Sequence, residues 1–463
     1  GVVDPVALHR RTDSLLRGAG SARSAARALR EFAAAFHDGH FQVRRPPPAL
    51  VRRLGDWWLG RGQEPPALEL DAGGICSALG YERKEDDGLL LQLPQAHRLT
   101  EDGAPFPAAT LPLADGRTAG VLRIASFSTH RYRGICESVW PRVRDSLPQA
   151  EACGEECEDA VWWAVSNELL AEERRALAAL ERAGASLLVV DLTGNGGGTD
   201  WADPAARQLS PKPLRGQPSG FIRHRHYVPR LADAVRDLDS ALALPEITDT
   251  QRTLLTGARA RADSAHRLAL EPCDRTAIWT LGPRAVSCRQ LQAGLLHVTG
   301  WLDYLPRGEA RGMPAGTAIF WPAEFDYVEG AWSGPVLLAV DERTASAAEQ
   351  FVVLLRDNEA AVVVGSRTAG AGCGYTDGGL PVRLEHSGLE VRIPDCARYR
   401  RNGDNEVAGV VPDHAAGWDD AGADQARSST LRDLLSRVPP AGTAAAPAAG
   451  YRRAGSSPAP PRS

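Results

Sequence analysis

The sequence predicts an α/β fold, and three observations carry the prediction. Residues 186–192 form an almost continuous apolar run, as do residues 335–340 and 361–364. Runs of this kind suit parallel strands buried on both faces. Between the last two, residues 345–356 repeat Ala348, Phe351, Val352 and Leu355 at helical spacing. Strand, helix and strand in this order predict a right-handed crossover unit. At 463 residues and 43% hydrophobic content, the chain is long enough for two or three domains with a substantial core.

The remaining elements follow along the chain. Residues 21–36 read as an amphipathic helix, with Ala22, Ala25, Ala26, Leu29, Phe32, Ala33 and Phe36 on one face. Gly39 stops it and His40 follows directly. Three prolines at 46–48 break the next stretch. Residues 49–118 look irregular, with a short strand expected at the Leu-rich 89–93. Residues 121–127 read as a strand and 158–182 as a long helix ended by Gly184. Residues 201–330 differ in character, with charged helical stretches such as 250–269, and are expected to be an insertion or cap. From about Pro439 the chain is rich in Pro, Ala, Gly and Ser, the composition of a disordered tail.

Composition excludes some functions. A net charge of −5 provides no electrostatic reason to expect nucleic acid or an anionic membrane surface as a partner. No stretch of about 18 apolar residues is present, so no membrane insertion is expected. Only two lysines occur, Lys84 and Lys212, which restricts where a lysine base could stand. Eight cysteines fit an oxidised protein, with pairing left open except that Cys273/Cys288 and Cys373/Cys396 are close in sequence. The chain opens at Gly1, and removal of an export signal is expected, which would make the protein secreted or periplasmic. No Cys-x-x-Cys pair occurs, and His224 and His226 lack an evident third ligand, so neither metal nor cofactor is expected.

Two motifs stand at the ends of the buried runs. After the first comes Asp191-Leu192-Thr193-Gly194-Asn195-Gly196-Gly197-Gly198. Its glycines allow a sharp turn whose amides can face a negative oxygen, although a glycine cluster alone is more often a plain turn. Its spacing is neither a dinucleotide fingerprint nor a P-loop. After the second comes Thr344-Ala345-Ser346-Ala347-Ala348-Glu349. A serine at a helix start is commonly an N-cap. Read as chemistry, it is a nucleophile with the Ala347 amide behind it at a helix N-terminus. A serine nucleophile needs a base, and among eleven histidines His40 is marked only by its place at a helix end.

These motifs together resemble the tail-specific, or C-terminal processing, serine peptidase family. The resemblance continues through Val363-Val364-Gly365-Ser366-Arg367-Thr368-Ala369-Gly370 and Glu406-Val407-Ala408-Gly409-Val410-Val411-Pro412-Asp413. It implies a ClpP/crotonase-like α/β core, with an N-terminal helical region and a large, mostly helical insertion. The segments would be 1–48 (helical, carrying His40), 49–118 (a small irregular or β region where relatives carry a PDZ domain), 119–200 with 331–420 (the core), 201–330 (the insertion) and 421–463 (a C-terminal segment and tail). One branch of the family uses a lysine 25 residues beyond the serine, and that position here is Ala371. The other, similar to the catalytic core of tricorn protease, uses a histidine in an Asp-Gly-His pattern, met here by Asp38-Gly39-His40. The resemblance therefore implies Ser346 as nucleophile, His40 as general base and Glu406 as the acid orienting it, directly or through another polar group. Ala347 with Gly197 or Gly196 would form the oxyanion hole, and the substrate would be a peptide or protein. A non-catalytic binding protein on the same fold and an esterase are the alternatives.

Overall fold

The computed structural model describes residues 3–45, 66, 70–83, 86–147, 152–271, 273–286, 288, 291–306, 309, 316–375, 382–416 and 424–438. The prolines at 46–48 and the tail from Pro439 lie outside these.

The central sheet has seven strands. In spatial order they are β13 (His414–Ala415), β9 (Val362–Gly365), β8 (Val336–Val340), β5 (Leu187–Asp191), β4 (Thr118–Arg123), β3 (Ala108–Pro112) and β2 (His97–Arg98). The strands from β13 to β4 run parallel, and β3 and β2 are antiparallel. Every residue of β5 and β8 is buried, as the apolar runs require. Alternate side chains point to opposite faces. Leu188 and Val190 enter one core cluster, and Leu187 and Val189 another.

Helices cover both faces. On the first lie α4 (Arg133–Ser146), α5 (Glu155–Arg182), α6 (Ala202–Gln208) and α9 (Ala347–Asp357). On the second, α10 (Asp424–Arg437) contributes Leu431 and Leu435. The helix at 345–356 was expected to bury one side, yet every residue from Ala347 to Leu355 is buried. The reason is that α6, on the segment after the glycine loop, packs against α9.

The expected strand at 89–93 is a set of turns. The Leu89 and Leu90 amides point at the buried Asp191 carboxylate, at 2.9 and 3.4 Å, so this stretch caps the end of β5 and forms no ladder. Arg123 lies beside the same carboxylate, and both side chains are almost wholly buried.

Residues 201–330 build a second cluster from α7 (Val228–Leu242), α8 (Asp249–Leu270), Trp301 and Phe320. Its small sheet pairs β6 (Pro218–Ile222) with β7 (Leu291–His297) and with β12 (Cys396–Arg398), a strand from much later in the chain. In the N-terminal region α1 (Pro5–Arg17) packs on α2 (Ala22–Ala34), and β1 (Gln42–Arg44) pairs with β11 (Glu390–Arg392). That pairing ties the segment bearing His40 to the C-terminal half. Disulfides join Cys76–Cys136, Cys153–Cys157, Cys273–Cys288 and Cys373–Cys396. Among the described residues, no helix is long and apolar enough to cross a membrane.

Candidate active site

The glycine loop after β5 is held by side chains on both sides. Asp191 accepts from the amide and hydroxyl of Thr193. Asp341, at the end of β8, accepts from the Gly194 amide at 2.8 Å. The Ala345 amide donates to the Asn195 carbonyl at 3.0 Å, so the loop and the serine motif are stitched together. Gly197 has φ +94°, and a Cβ there would stand 2.8 Å from the Ala347 nitrogen and 2.8 Å from the Ser346 Cβ. Only glycine leaves the space in front of that amide open.

Ser346 lies just before α9 with φ 56°, the left-handed region that an L side chain seldom adopts. Its Oγ is 3.4 Å from His40 Nε2, although 306 positions separate the two residues. A separation of this length is ordinary for an unliganded serine–histidine pair. His40 Nδ1 hydrogen-bonds the Ala371 carbonyl. A carbonyl can only accept, so Nδ1 carries the hydrogen and Nε2 presents its lone pair to the serine.

The loop that supplies this carbonyl is itself clamped. The buried Glu349 carboxylate, on the first turn of α9, accepts from the amides of Ser346 (3.0 Å), Gly370 (2.8 Å) and Ala371 (2.9 Å) and from the Thr368 hydroxyl (2.5 Å). Further along, the Tyr375 hydroxyl donates to the His40 carbonyl, and Gly374 backs the imidazole ring. Burial pushes the Tyr375 phenol up, with Arg392 pulling it down.

Glu406 sits in a short turn, Glu406–Ala408, and is buried. It receives the Arg398 Nε rather than touching His40. Arg398 also donates to Gln350 Oε1 at 2.9 Å, the Gly372 carbonyl at 2.6 Å and the Ser346 carbonyl at 3.3 Å. Burial raises the Glu406 carboxyl above its ordinary value, and Arg398 acts in the opposite direction.

Of the expected oxyanion donors, Gly197 gives its amide to Asn195 Oδ1 at 2.9 Å. Thus Ser346, His40, Ala347 and Gly197 are brought together, while Glu406 stands one guanidinium away. Three contributors escaped the sequence reading. Ala371 acts through its backbone, which carries no residue signature. Glu349 and Asp38 were visible within the quoted motifs, but only the structure shows that Glu349 accepts three backbone amides and that Asp38 accepts the His40 amide.

A cavity of about 840 Å³ is lined from the core by Gln350, Arg398 and Cys373–Cys396 and from the 201–330 segment by Tyr227, Arg230 and Trp301; Arg398 links it to the site through its bond to the Ser346 carbonyl. Among the described residues, no group of three or more His, Cys, Asp or Glu side chains could hold a metal ion.

The sequence profile of peptidase family S41 matches residues 163–416, a span that holds Ser346 and Glu406 but not His40. Among solved structures, the chain is similar to mature CPAF complexed with lactacystin, at 17% identity and a TM-score of 0.46, over 82% of this chain and 61% of that one. Mature CPAF alone gives 17% identity and 0.44, over 93% and 74%. The photosystem II D1 C-terminal processing protease gives 12% identity and 0.33, over 94% and 100%. Among curated proteins, none matches the chain.

Proposed function

We propose, for a chain that belongs to peptidase family S41, that Ser346 cleaves peptide bonds through an acyl-enzyme with His40 as its base. Membership supports a serine-type peptidase, and the residue roles are our reading of its geometry. The observation that carries them is the approach of Ser346 Oγ to His40 Nε2, 3.4 Å apart, with Nδ1 anchored on the far side by Ala371.

In this reading Ser346 Oγ attacks the scissile carbonyl carbon as its proton passes to His40 Nε2. The resulting imidazolium returns that proton to the leaving amine, and water repeats the sequence on the acyl-enzyme. The oxyanion is met by the Ala347 amide, at the N-terminus of α9. Gly197 serves through its missing side chain, since its amide is held by Asn195, which leaves Gly196 as the other donor the glycine motif offers. Glu406 acts through Arg398, which fixes the carbonyls of Ser346 and Gly372 and hence the loop that orients His40. The cavity between the core and the 201–330 segment would receive a peptide or protein substrate. Four disulfides support action in an oxidising compartment, outside the cell or in a periplasm.

A fluorophosphonate probe tests the assignment. The intact protein should label at one serine, and both Ser346→Ala and His40→Ala should abolish labelling while unfolding at unchanged temperature. A folded intact protein that takes no label would refute the catalytic reading and favour a binding role.

A further inference from the structure

A serine–histidine pair generates a cation, and the structure raises the question of which anion faces it. Transferring the Ser346 proton to Nε2 leaves an imidazolium with a hydrogen on each nitrogen. The Ala371 carbonyl beside Nδ1 orients the ring but carries no charge. Glu406 is in contact with Arg398 and not with His40, so its charge is largely spent on the guanidinium.

We infer that Asp38 is the positioning residue whose carboxylate stabilises the His40 imidazolium. The inference rests on the Ser346–His40 reading above. Asp38 Oδ1 lies 3.3 Å from His40 Nδ1, with side chains only 18% and 20% exposed respectively. The same oxygen accepts the His40 backbone amide at 2.9 Å, which closes a turn and holds the carboxylate at the ring. Gly372 lies against the other oxygen, a Cβ there standing 3.4 Å from Asp38 Oδ2. A half-shielded carboxylate at this distance interacts strongly with a cation.

The other groups facing His40 are few. Ser346 faces Nε2. Tyr375 meets the ring edge-on at 5.7 Å, with Arg392 stacked over the phenol ring. Glu349 is one peptide away, bonded to the Ala371 amide. Asp38 is thus the anion in direct contact with the imidazole among the described residues.

Asp38 could instead be only a turn former, and one substitution separates the two roles. Asp38→Asn keeps an oxygen for the His40 amide and removes the charge. The readout is the rate of fluorophosphonate labelling at Ser346 from pH 4 to 9, on the intact protein, Asp38→Asn, Asp38→Glu and Glu406→Gln. Asp38→Asn should lower the plateau rate by about 10-fold or more and move the acid limb to lower pH. Asp38→Glu should restore part of both. Glu406→Gln should slow labelling without moving the acid limb. An Asp38→Asn profile that superimposes on the wild type overturns the inference, as does an acid limb that moves with Glu406→Gln alone. An intact protein without label overturns the serine–histidine reading itself, and this role with it.

Discussion

Ser346 has φ 56° and Gly197 has φ +94°, and the two face each other across the space where an oxyanion would form. Their needs are opposite. The serine accepts an uncommon backbone angle to project its hydroxyl, a form of strain that concentrates at functional sites. The glycine keeps the Ala347 amide uncovered. Gly197→Ala should therefore lose labelling by about 10²–10³-fold, the scale of one oxyanion-hole donor, and also lose stability, because its Cβ would meet the Ala345 carbonyl at 2.6 Å. Labelling kinetics and thermal unfolding of this variant check both effects. Gly197 was expected to offer its amide to an oxyanion and gives it to Asn195 instead, but the proposed role of Ser346 was readable, because it sits in a motif with restricted residue choice. The role of Ala371 was not, since any residue would supply the same carbonyl.

Helices impose the next level of constraint. The long α5 carries Glu173 into the core, where Gln208 of α6 donates to it at 2.6 Å while its other oxygen finds no hydrogen-bond partner. Burial raises this carboxyl from its ordinary 4.5 to about 8. In the folded protein it therefore holds its proton near neutrality, while the unfolded chain releases it. Its contribution to stability is complete below pH 4.5 and is lost as pH rises through about 8. The slope between those limits is at most about 1.4 kcal/mol per pH unit for one group. Glu173→Gln should flatten the pH dependence of the urea midpoint between pH 5 and 8, and an unchanged slope would contradict the buried neutral acid. The periodicity of α5 was legible in sequence, but not that Glu173 would face Gln208, because α6 arrives from a different segment.

Across the whole molecule, the candidate site is assembled from the N-terminal region, the central sheet and the strand shared with the 201–330 segment. Disulfides reinforce these long-range connections unequally. Cys76–Cys136 spans 60 residues and Cys153–Cys157 only 4. Loop-closure entropy makes the first worth about 4 kcal/mol and the second about 2 kcal/mol. Replacing each pair by serine should lower the urea midpoint in that order, and an equal or reversed ranking would show that packing around the bridges outweighs chain entropy. The cysteine count indicated an oxidised chain. Only the fold decided that Cys76, on α3 (Ala72–Ala78), meets Cys136 on α4.

Local pattern alone determined the apolar strands at β5, β8 and β9, the helix after Ser346 and the two motifs at strand ends. Each depends on neighbours in sequence, where hydrophobic period and turn chemistry act directly. The tertiary structure decided what depends on distant segments meeting. It turned residues 89–93 into a cap on Asp191, buried α9 on all sides, recruited β12 into the small sheet and thereby placed Arg398 between Glu406 and Ser346. It also set His40 against the Ala371 carbonyl and Ser346, because β1 pairs with β11, a strand some 350 residues later. Such contacts leave no periodic trace in the chain, since either partner's identity is compatible with many other surroundings.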